Sequence, residues 1–493
     1  MTVIAPLPRQ THPVLILVIC CMSLLLVSLD TTIVNVALPS IRTGLHADVS
    51  SLQWTVDAYT LVLAALLLLS GTTADRIGRR RTFQIGLVAF GLGSLLCGFA
   101  PTIGWLIAFR ALQAVGGSML NPVAMSIITA VFEDPARRAR AVGVWSAVVG
   151  VSLALGPILG GALLQASDWR IIFWVNVPVV VAAIVLSALF VPEIRARRIR
   201  RFDPIGQLAI GALVACTVAA LIEGPRHGWD SWLPLTLLGV AAVALVVLIV
   251  YERGRRDAVL DPRLFRSLPF SNAVVSAIAA YAANGAFLFL MTLYLQDVRG
   301  LTPFVAGLHL LPMAITQLIC GPLSGRLVAR FGTRPSLLLA SGFWTVAILG
   351  LTTLADDTPD AVLLALFGLF GVGQGFVNAA ITTAAVSGMP LSRAGSAAGV
   401  ASTSRQVGIS LGVALAGTIT GIGAASGIAP GFSAATHAMW WTLVGIGAVV
   451  FAISLLATGP IGRRSQDAVR HLLQETGAVR TVEAEAEPEP SHG

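Results

Sequence analysis

Fourteen predominantly apolar runs, separated by short polar loops, limit what this chain can fold into. The composition is 56% hydrophobic and only 11% charged, whereas soluble domains carry about 25% charged residues. A run of about 20 apolar residues is long enough to cross a bilayer as a helix. The alternation over about ten residues that marks a membrane β-barrel does not occur. The sequence therefore predicts an all-α integral membrane protein.

The apolar runs give predicted boundaries for fourteen transmembrane helices. They cover residues 14–38, 52–70, 82–100, 103–127, 142–164, 171–191, 205–223, 233–251, 271–295, 303–323, 336–355, 360–386, 395–420 and 437–458. The first run is long for a signal peptide and lacks a clear cleavage site, so it is interpreted as a retained helix. An even number of helices places both termini on the same side of the membrane.

Arginine is distributed unequally between the two sets of loops. All 32 basic residues are arginine; 26 lie in the set that contains the N-terminus and 4 in the opposite set. By the positive-inside rule both termini are predicted to be cytoplasmic. The absence of lysine hints at a GC-rich genome, so the predicted location is a bacterial cytoplasmic membrane. Because the charge follows topology, the net charge of +8 does not indicate a nucleic-acid partner.

A charged segment occurs twice, as SGTTADRIGRRRT at Ser70–Thr82 and as SGRLVARFGTRPS at Ser324–Ser336. The two copies share glycine and arginine positions at an offset of 254 residues, but Ala329 replaces Asp75 in the second. Such a repeat predicts two related six-helix halves. The predicted organisation is a leader at 1–13, six-helix bundles at 14–191 and 271–458, a linker with two extra helices at 192–270, and a disordered tail at 459–493.

Four charged residues inside the predicted spans are candidates for chemistry. Asp30 lies about 13 Å of helical rise from Pro39, and an ionised carboxylate at that depth costs at least about 2.5–3.5 kcal/mol. Because desolvation favours the neutral carboxyl, Asp30 is a candidate proton carrier; the alternative is a neutral aspartate that only packs helices. Asp57 either shares a cavity with Asp30 or lies at the membrane–water interface, where water reaches it. Arg110 and Arg405 each require a buried partner, and Arg405 is equally a candidate structural pin.

Small and polar residues within the spans complete the candidate set. Gly150, Gly156, Gly160 and Gly161 allow close helix approach and Pro157 allows a bend, although simple packing needs the same pattern. The candidate cavity-lining residues are Asn35, Gln113, Asn121, Trp145, Asn284, Phe287, Gln317, Gln374, Asn378 and Arg405. The five cysteines lie in apolar runs without metal-site spacing, so no metal and no cofactor is expected.

Together these motifs resemble the major facilitator superfamily. The segment GTTADRIGRRR, with Gly71, Asp75, Arg76, Gly78, Arg79 and Arg80, resembles the family's loop between helices 2 and 3. LIAFRALQAVGGS at Leu106–Ser118 resembles the helix 4 motif, with Arg110 at its arginine position. VSLALGPILGG at Val151–Gly161 resembles the helix 5 motif of antiporters. LDTTIVNVALP at Leu29–Pro39 and the fourteen-helix count resemble the drug:proton antiporter branch.

The resemblance implies a carrier in which two bundles alternate access to a central cavity. It implies a proton-coupled antiporter that exports hydrophobic or cationic drugs or antibiotics, with protons, such substrates and the bilayer as its partners. Asp30 would exchange protons, Arg110 would assist, Asp75 with its arginines would latch the cytoplasmic gate, and Gly156 with Pro157 would shape the bending helix.

Alternative functions remain open at the level of sequence. Export of an endogenous lipid, siderophore or secondary metabolite would need a similar amphipathic cavity, and sodium is an alternative coupling ion. A membrane-embedded enzyme or sensor belongs to another class. The sequence shows neither a His/Asp cluster nor a sizeable soluble domain, and it contains no P-loop. The chain is therefore expected not to be an enzyme, and proton coupling is favoured over direct use of ATP.

Overall fold

The computed structural model describes residues 12–194, 203–252, 262–387, 391–421, 431–457, 459 and 464–465. The described chain is helical throughout, without a β-strand. The α-helices are α1 (Pro13–Leu45), α2 (Val49–Ile77), α3 (Arg79–Gly98), α4 (Ile103–Val131), α5 (Pro135–Ala166), α6 (Ile171–Trp174), α7 (Asn176–Phe190), α8 (Pro204–His227), α9 (Trp232–Glu252), α10 (Leu268–Leu293), α11 (Pro303–His309), α12 (Leu311–Phe331), α13 (Thr333–Leu351), α14 (Asp360–Val386), α15 (Leu391–Thr420) and α16 (Phe432–Ala457). A 3-10 helix at Pro262–Arg266 precedes α10, and a π-helical segment at Tyr294–Val298 follows it.

Each predicted span coincides with one α-helix or with two consecutive ones, α6–α7 and α11–α12. By length and composition, 11 helices in the described ranges can cross a membrane, or 12 when α5, bent by 41°, is one span. The all-α membrane class is therefore confirmed, but the count of fourteen is not fully reproduced. α2 and α15 are outside both counts, which consider the described residues only. They pack against each other and carry buried polar side chains, among them Gln53, Asp57 and Ser410.

The turn between the second and third helices is shorter than the sequence suggested. α2 continues to Ile77, so Gly71 is helical, and the interruption is Gly78 alone, with a φ of +111°. The second copy of the repeat behaves in the same way, because Gly332 separates α12 from α13 with a φ of +78°. Positive φ favours glycine. The apolar pattern marked where each helix leaves the lipid, whereas the helix itself continues further.

The buried side chains form separate clusters at the two ends of the molecule. We call α1–α7 the N-terminal half and α10–α16 the C-terminal half. The Arg42 end of the molecule is the end that contains the turn between α1 and α2, and the Gly78 end contains the turn between α2 and α3. One cluster joins the halves toward the Arg42 end, bringing Ile41 and Trp169 together with Phe289 and Trp344. Toward the Gly78 end each half has its own cluster. In the described part of the chain, the large core shared by the halves therefore lies toward the Arg42 end.

Polar contacts between the halves also concentrate at the Arg42 end. Arg42 Nη2 lies 3.1 Å from Asp297 Oδ1, and Gln296 Nε2 donates to the Val36 carbonyl at 2.8 Å. Gln53 Nε2 donates to the Val413 carbonyl at 2.7 Å. These bonds connect α1 and α2 with the C-terminal half. The Arg42 end is thus closed by hydrogen bonds and an ion pair as well as by apolar packing.

The inserted pair, α8 and α9, is attached to both halves through α8. Trp54 Nε1 of α2 donates to Glu223 Oε1 at 2.7 Å, and Thr418 Oγ1 of α15 donates to the Leu221 carbonyl at 2.6 Å. Val218 and Ile222 are buried in a small cluster with side chains of α2 and α15. α8 therefore crosses the seam between α2 and α15.

Candidate functional site

Asp30 and Arg110 form a buried ion pair between α1 and α4. Arg110 Nη1 donates to Asp30 Oδ2 at 2.5 Å, and the two residues are 2% and 1% exposed. Gln113, one turn along α4, donates from Nε2 to Asp30 Oδ1 at 2.8 Å and accepts from Arg110 Nη1 at 2.8 Å. Three of the residues singled out in the sequence therefore meet in one network inside the N-terminal half.

Three further helices hold this network in place. Asn176 Nδ2 of α7 donates to Asp30 Oδ1 at 3.3 Å and to Ser94 Oγ of α3 at 3.0 Å. Arg110 Nε donates to the Thr55 carbonyl of α2 at 3.3 Å, and the Arg110 guanidinium carbon lies 4.2 Å from the centre of the Tyr59 ring. Asn176, Ser94 and Tyr59 were not among the residues predicted from the sequence. The available signal was that each is a polar residue inside an apolar run.

A buried ion pair of this kind depends on the charge of both partners. Removing two charges from water costs several kcal/mol per ion, and the pair is stable only while each charge keeps its partner. A proton delivered to Asp30 would cancel its charge and leave the Arg110 guanidinium without a counter-ion. The arrangement is therefore chemically suited to linking protonation of one carboxyl to a rearrangement of α1 against α4.

Asp57 lies elsewhere, at the seam between α2 and α15. It is fully buried, Thr60 Oγ1 donates to its Oδ1 at 3.4 Å, and its Oδ2 has no hydrogen-bond partner in the described part of the chain. The hydroxyls of Thr60 and Ser410 meet across the seam. Asp57 and Asp30 thus do not share one polar network, because Asp57 belongs to the contact between the halves and Asp30 to the interior of one half.

The small residues of α5 divide between two faces of the helix. A β-carbon at Gly156 would collide with Thr32 of α1, and one at Gly160 would touch Ile33 at 3.4 Å. A β-carbon at Gly161 would lie 2.5 Å from the Phe304 Cα, and one at Gly150 would lie 2.5 Å from a methyl group of Leu318. α5 is therefore packed closely against α1 on one side and against the C-terminal half on the other.

A small cavity lies beside this helix, between the two halves. Thr32, Asn35, Pro157, Leu288, Met313 and Gln317 line it together with Val36, Leu310 and Ala314. Its volume is about 20 Å³, whereas a drug-sized pocket measures about 300–1,000 Å³. Gln317 Oε1 has no partner among the described groups. The predicted residues Asn35, Pro157 and Gln317 do meet at the interface, but in this conformation the space between them is nearly closed.

The other predicted cavity residues occupy different places. Phe287 is fully buried and stacks on Phe370 with 4.4 Å between ring centres, so it is part of the core that joins the halves. Gln374 Nε2 donates to the Ala280 carbonyl at 2.9 Å. Arg405 Nη1 donates to Asn378 Oδ1 at 2.6 Å, and its Nη2 donates to Ser402 Oγ at 2.7 Å. Asn121, Trp145 and Asn284 are half-buried, outside the lining of the small cavity.

The predicted gate residues lie around the Gly78 turn. Arg79 Nη1 donates to the Ser126 carbonyl at 2.8 Å, and Arg80 Nη2 donates to the Ala188 carbonyl at 2.6 Å, both within the N-terminal half. Arg76 is exposed, and the side chain of Asp75 lies outside the described part of the structure. A β-carbon at Gly78 would lie 2.7 Å from the Glu193 carboxyl carbon. Arg79 and Arg80 therefore tie the Gly78 turn to α4 and α7 of the same half.

The described residues contain no group of three or more His, Cys, Asp or Glu side chains arranged to hold a metal ion. The five cysteines are unpaired thiols, and three of them are buried. The polar network around Asp30 is consequently the most developed site in the described chain.

Solved structures of membrane transporters share this fold. A peptide transporter POT in complex with sulfate superposes with a TM-score of 0.68 at 15% identity, over 91% of this chain and 95% of that one. A bacterial homologue of the human lysosomal transporter Spinster gives a TM-score of 0.63 at 16% identity, over 94% of this chain and 99% of that one. These likenesses show a shared all-helical membrane fold.

The model of the Major Facilitator Superfamily matches residues 20–413, and the chain belongs to this superfamily. Its relatives include the multidrug resistance protein Stp of Mycobacterium tuberculosis, 36% identical over 81% of this chain and 74% of that protein. The puromycin resistance protein pur8 of Streptomyces alboniger is 36% identical over 93% and 92% of the two chains. The tetracenomycin C resistance and export protein of Streptomyces glaucescens is 34% identical over 80% and 73%.

Proposed function

We propose that this protein is a proton-coupled antiporter, not an enzyme, that exports hydrophobic or cationic drugs or antibiotics across the cytoplasmic membrane of a bacterium. The buried Asp30–Arg110 pair is the single observation that carries the proton coupling. Relatives named for multidrug resistance, puromycin resistance and tetracenomycin C export support this substrate class.

The proposed transport cycle uses the two ends of the molecule in turn. The positive-inside distribution of arginine assigns the Gly78 end and both termini to the cytoplasm. With the Arg42 end closed by the Arg42–Asp297 pair and the shared core, this structure corresponds to a carrier closed to the outside. Two bundles, 14–191 and 271–458, would rock against each other around the linker pair in 192–270, as in other secondary transporters.

In this cycle protonation of Asp30 drives the change between the two arrangements. A proton entering from outside would neutralise Asp30 and release Arg110, and its discharge to the cytoplasm would restore the pair. One charge crossing the membrane potential supplies about 2.3 kcal/mol per 100 mV. The glycines of α5, packed against both α1 and the C-terminal half, would carry the motion between halves. Asp75 and Arg76 would latch the cytoplasmic gate. Protonation of the Asp57 carboxyl would be coupled to the separation of α2 from α15.

Transport by the purified protein in sealed vesicles tests this proposal. With an inwardly directed proton gradient imposed across vesicles of known orientation, a cationic dye such as ethidium should leave against its gradient and draw protons in. Collapse of the gradient with a protonophore should stop both movements. Dye movement that follows a sodium gradient, or movement of a lipid or siderophore without any drug of the panel, would contradict the proposed coupling or substrate class respectively.

Cysteine labelling in intact cells tests the proposed topology. Single cysteines at Ala136 and Ala196, the latter outside the described residues, should react with a membrane-impermeant maleimide only after lysis. A cysteine at Ser231, in the turn between α8 and α9, should react in intact cells. If a cysteine at Ser231 were labelled only after lysis, either the proposed orientation would be wrong or α8 and α9 would not span the membrane.

A further inference from the structure

A second cavity lies between the inserted pair, α8 and α9, and the helices α10 and α15. It is a partly open space bordered by the inserted pair and the C-terminal half, with a volume of about 160 Å³. Its lining is almost entirely aliphatic and includes Leu213, Leu248, Val274, Ile278 and Val407. It is called the α8–α15 groove below. No polar group of the Asp30 network reaches it.

The groove contains one unsatisfied polar group. Thr403 lines it and is 8% exposed, and its hydroxyl has no hydrogen-bond partner among the described residues. A buried hydroxyl without a partner costs about 1–3 kcal/mol. The neighbouring Ser404 lines the same space. A ligand that fills the groove is therefore favoured if it brings a hydrogen-bonding atom to this point, which a bare acyl chain does not.

The size and position of the groove define the rest of the ligand. An apolar cavity of about 150 Å³ is known to stay dry and to bind benzene, so the groove accommodates one aromatic ring or a group of similar bulk. The surrounding faces of α8 and α9 expose large aliphatic side chains, including Leu208 at 72% and Val250 at 68%. Exposed aliphatic faces of this kind are suited to lipid, so a ligand dissolved in the bilayer reaches the groove without crossing water.

The helices α10 and α15, which border the groove, pack closely against each other. A β-carbon at Gly408 would lie 2.6 Å from the Ile278 carbonyl oxygen, and one at Gly285 would lie 2.5 Å from the Ile409 carbonyl oxygen. α10 and α15 therefore leave no gap here.

We propose that the α8–α15 groove is a binding site for small aromatic amphiphiles, each with one ring-sized apolar group and one hydrogen-bonding nitrogen or oxygen, taken up from the membrane. The biological role of this site rests on the proposed export function, because the site would collect the exported compounds from the bilayer beside the C-terminal half. Its existence as a binding site does not depend on proton coupling.

Saturation binding of 1-naphthylamine to the full-length protein in nanodiscs tests the site. Val407→Phe should fill the groove and weaken the saturable binding at least tenfold. Thr403→Val should weaken it about three- to tenfold, the value of one neutral hydrogen bond, and Thr403→Ser should restore it. Val246→Phe, on the exposed face of α9, is the matched control and should bind as the native protein does.

Two further measurements separate the alternatives. Asp30→Asn should retain the binding, so failure of the proton-coupling proposal and failure of the groove are distinguishable. Native mass spectrometry tests whether a phospholipid occupies the groove instead. The native protein should carry no bound phospholipid that Val407→Phe lacks. Binding unchanged in both Val407→Phe and Thr403→Val, binding lost in Asp30→Asn, or a retained phospholipid that naphthylamine fails to displace would each overturn the proposal.

Discussion

Asp30→Asn should abolish dye-dependent proton movement in vesicles while the protein still folds and inserts. Asparagine has nearly the shape of aspartate and can still accept a hydrogen bond from Arg110, but it carries no exchangeable carboxyl proton. Arg110 loses its counter-ion in this variant but keeps its hydrogen bonds to Gln113 Oε1 and the Thr55 carbonyl, and these hold the fold together. We therefore expect proton uptake on dye addition to fall to the level of protein-free vesicles.

Asp48→Asn is the matched control for this change. Asp48 caps the N-terminus of α2 by accepting from the Ser51 amide at 2.8 Å, and asparagine caps helices about as well as aspartate. The same carboxyl-to-amide exchange at that position should leave coupled transport intact. Undiminished proton coupling in Asp30→Asn, with equal amounts of protein in the vesicles, would remove Asp30 from the carrier role.

How much of this site could be read from the sequence depends on the distance over which its residues interact. Asp30, Arg110 and Gln113 stand out because charge and amide groups are costly inside apolar runs. The pairing of Asp30 with Arg110 does not stand out in the sequence, since 80 residues separate the two and several other buried partners were available. Asn176 and Ser94 escaped notice because a single amide or hydroxyl in a span is common and becomes informative only through its neighbours.

The differences in the fold have a similar physical origin. Hydropathy reports the lipid-exposed length of a helix, so it predicted a loop over 71–81 where α2 continues to Ile77. Phe287 was a reasonable cavity residue from its position in a span, but three-dimensional packing places it against Phe367 and Phe370. Local patterns thus located the helices, whereas the division of each helix between lipid, core and interface required the tertiary contacts.

Arg110→Ala should lower the free energy of unfolding by about 3–5 kcal/mol at neutral pH, because it leaves the Asp30 carboxylate buried without its cation. The midpoint of thermal unfolding in detergent micelles measures the change. The double variant Asp30→Asn/Arg110→Ala should be more stable than Arg110→Ala, because an uncharged amide needs no counter-ion.

Arg405→Ala is the matched control, because it removes an intramembrane arginine whose described hydrogen bonds go to the uncharged Asn378, Thr382 and Ser402. No carboxylate among the described residues loses its partner there, so the destabilisation should be smaller than in Arg110→Ala. Equal losses in the two alanine variants, with no recovery in the double variant, would mean that the Asp30–Arg110 contact stores no electrostatic free energy. A pair without such stored free energy has nothing to release on protonation, and proton coupling would then have to operate through Asp57 at the seam between the halves.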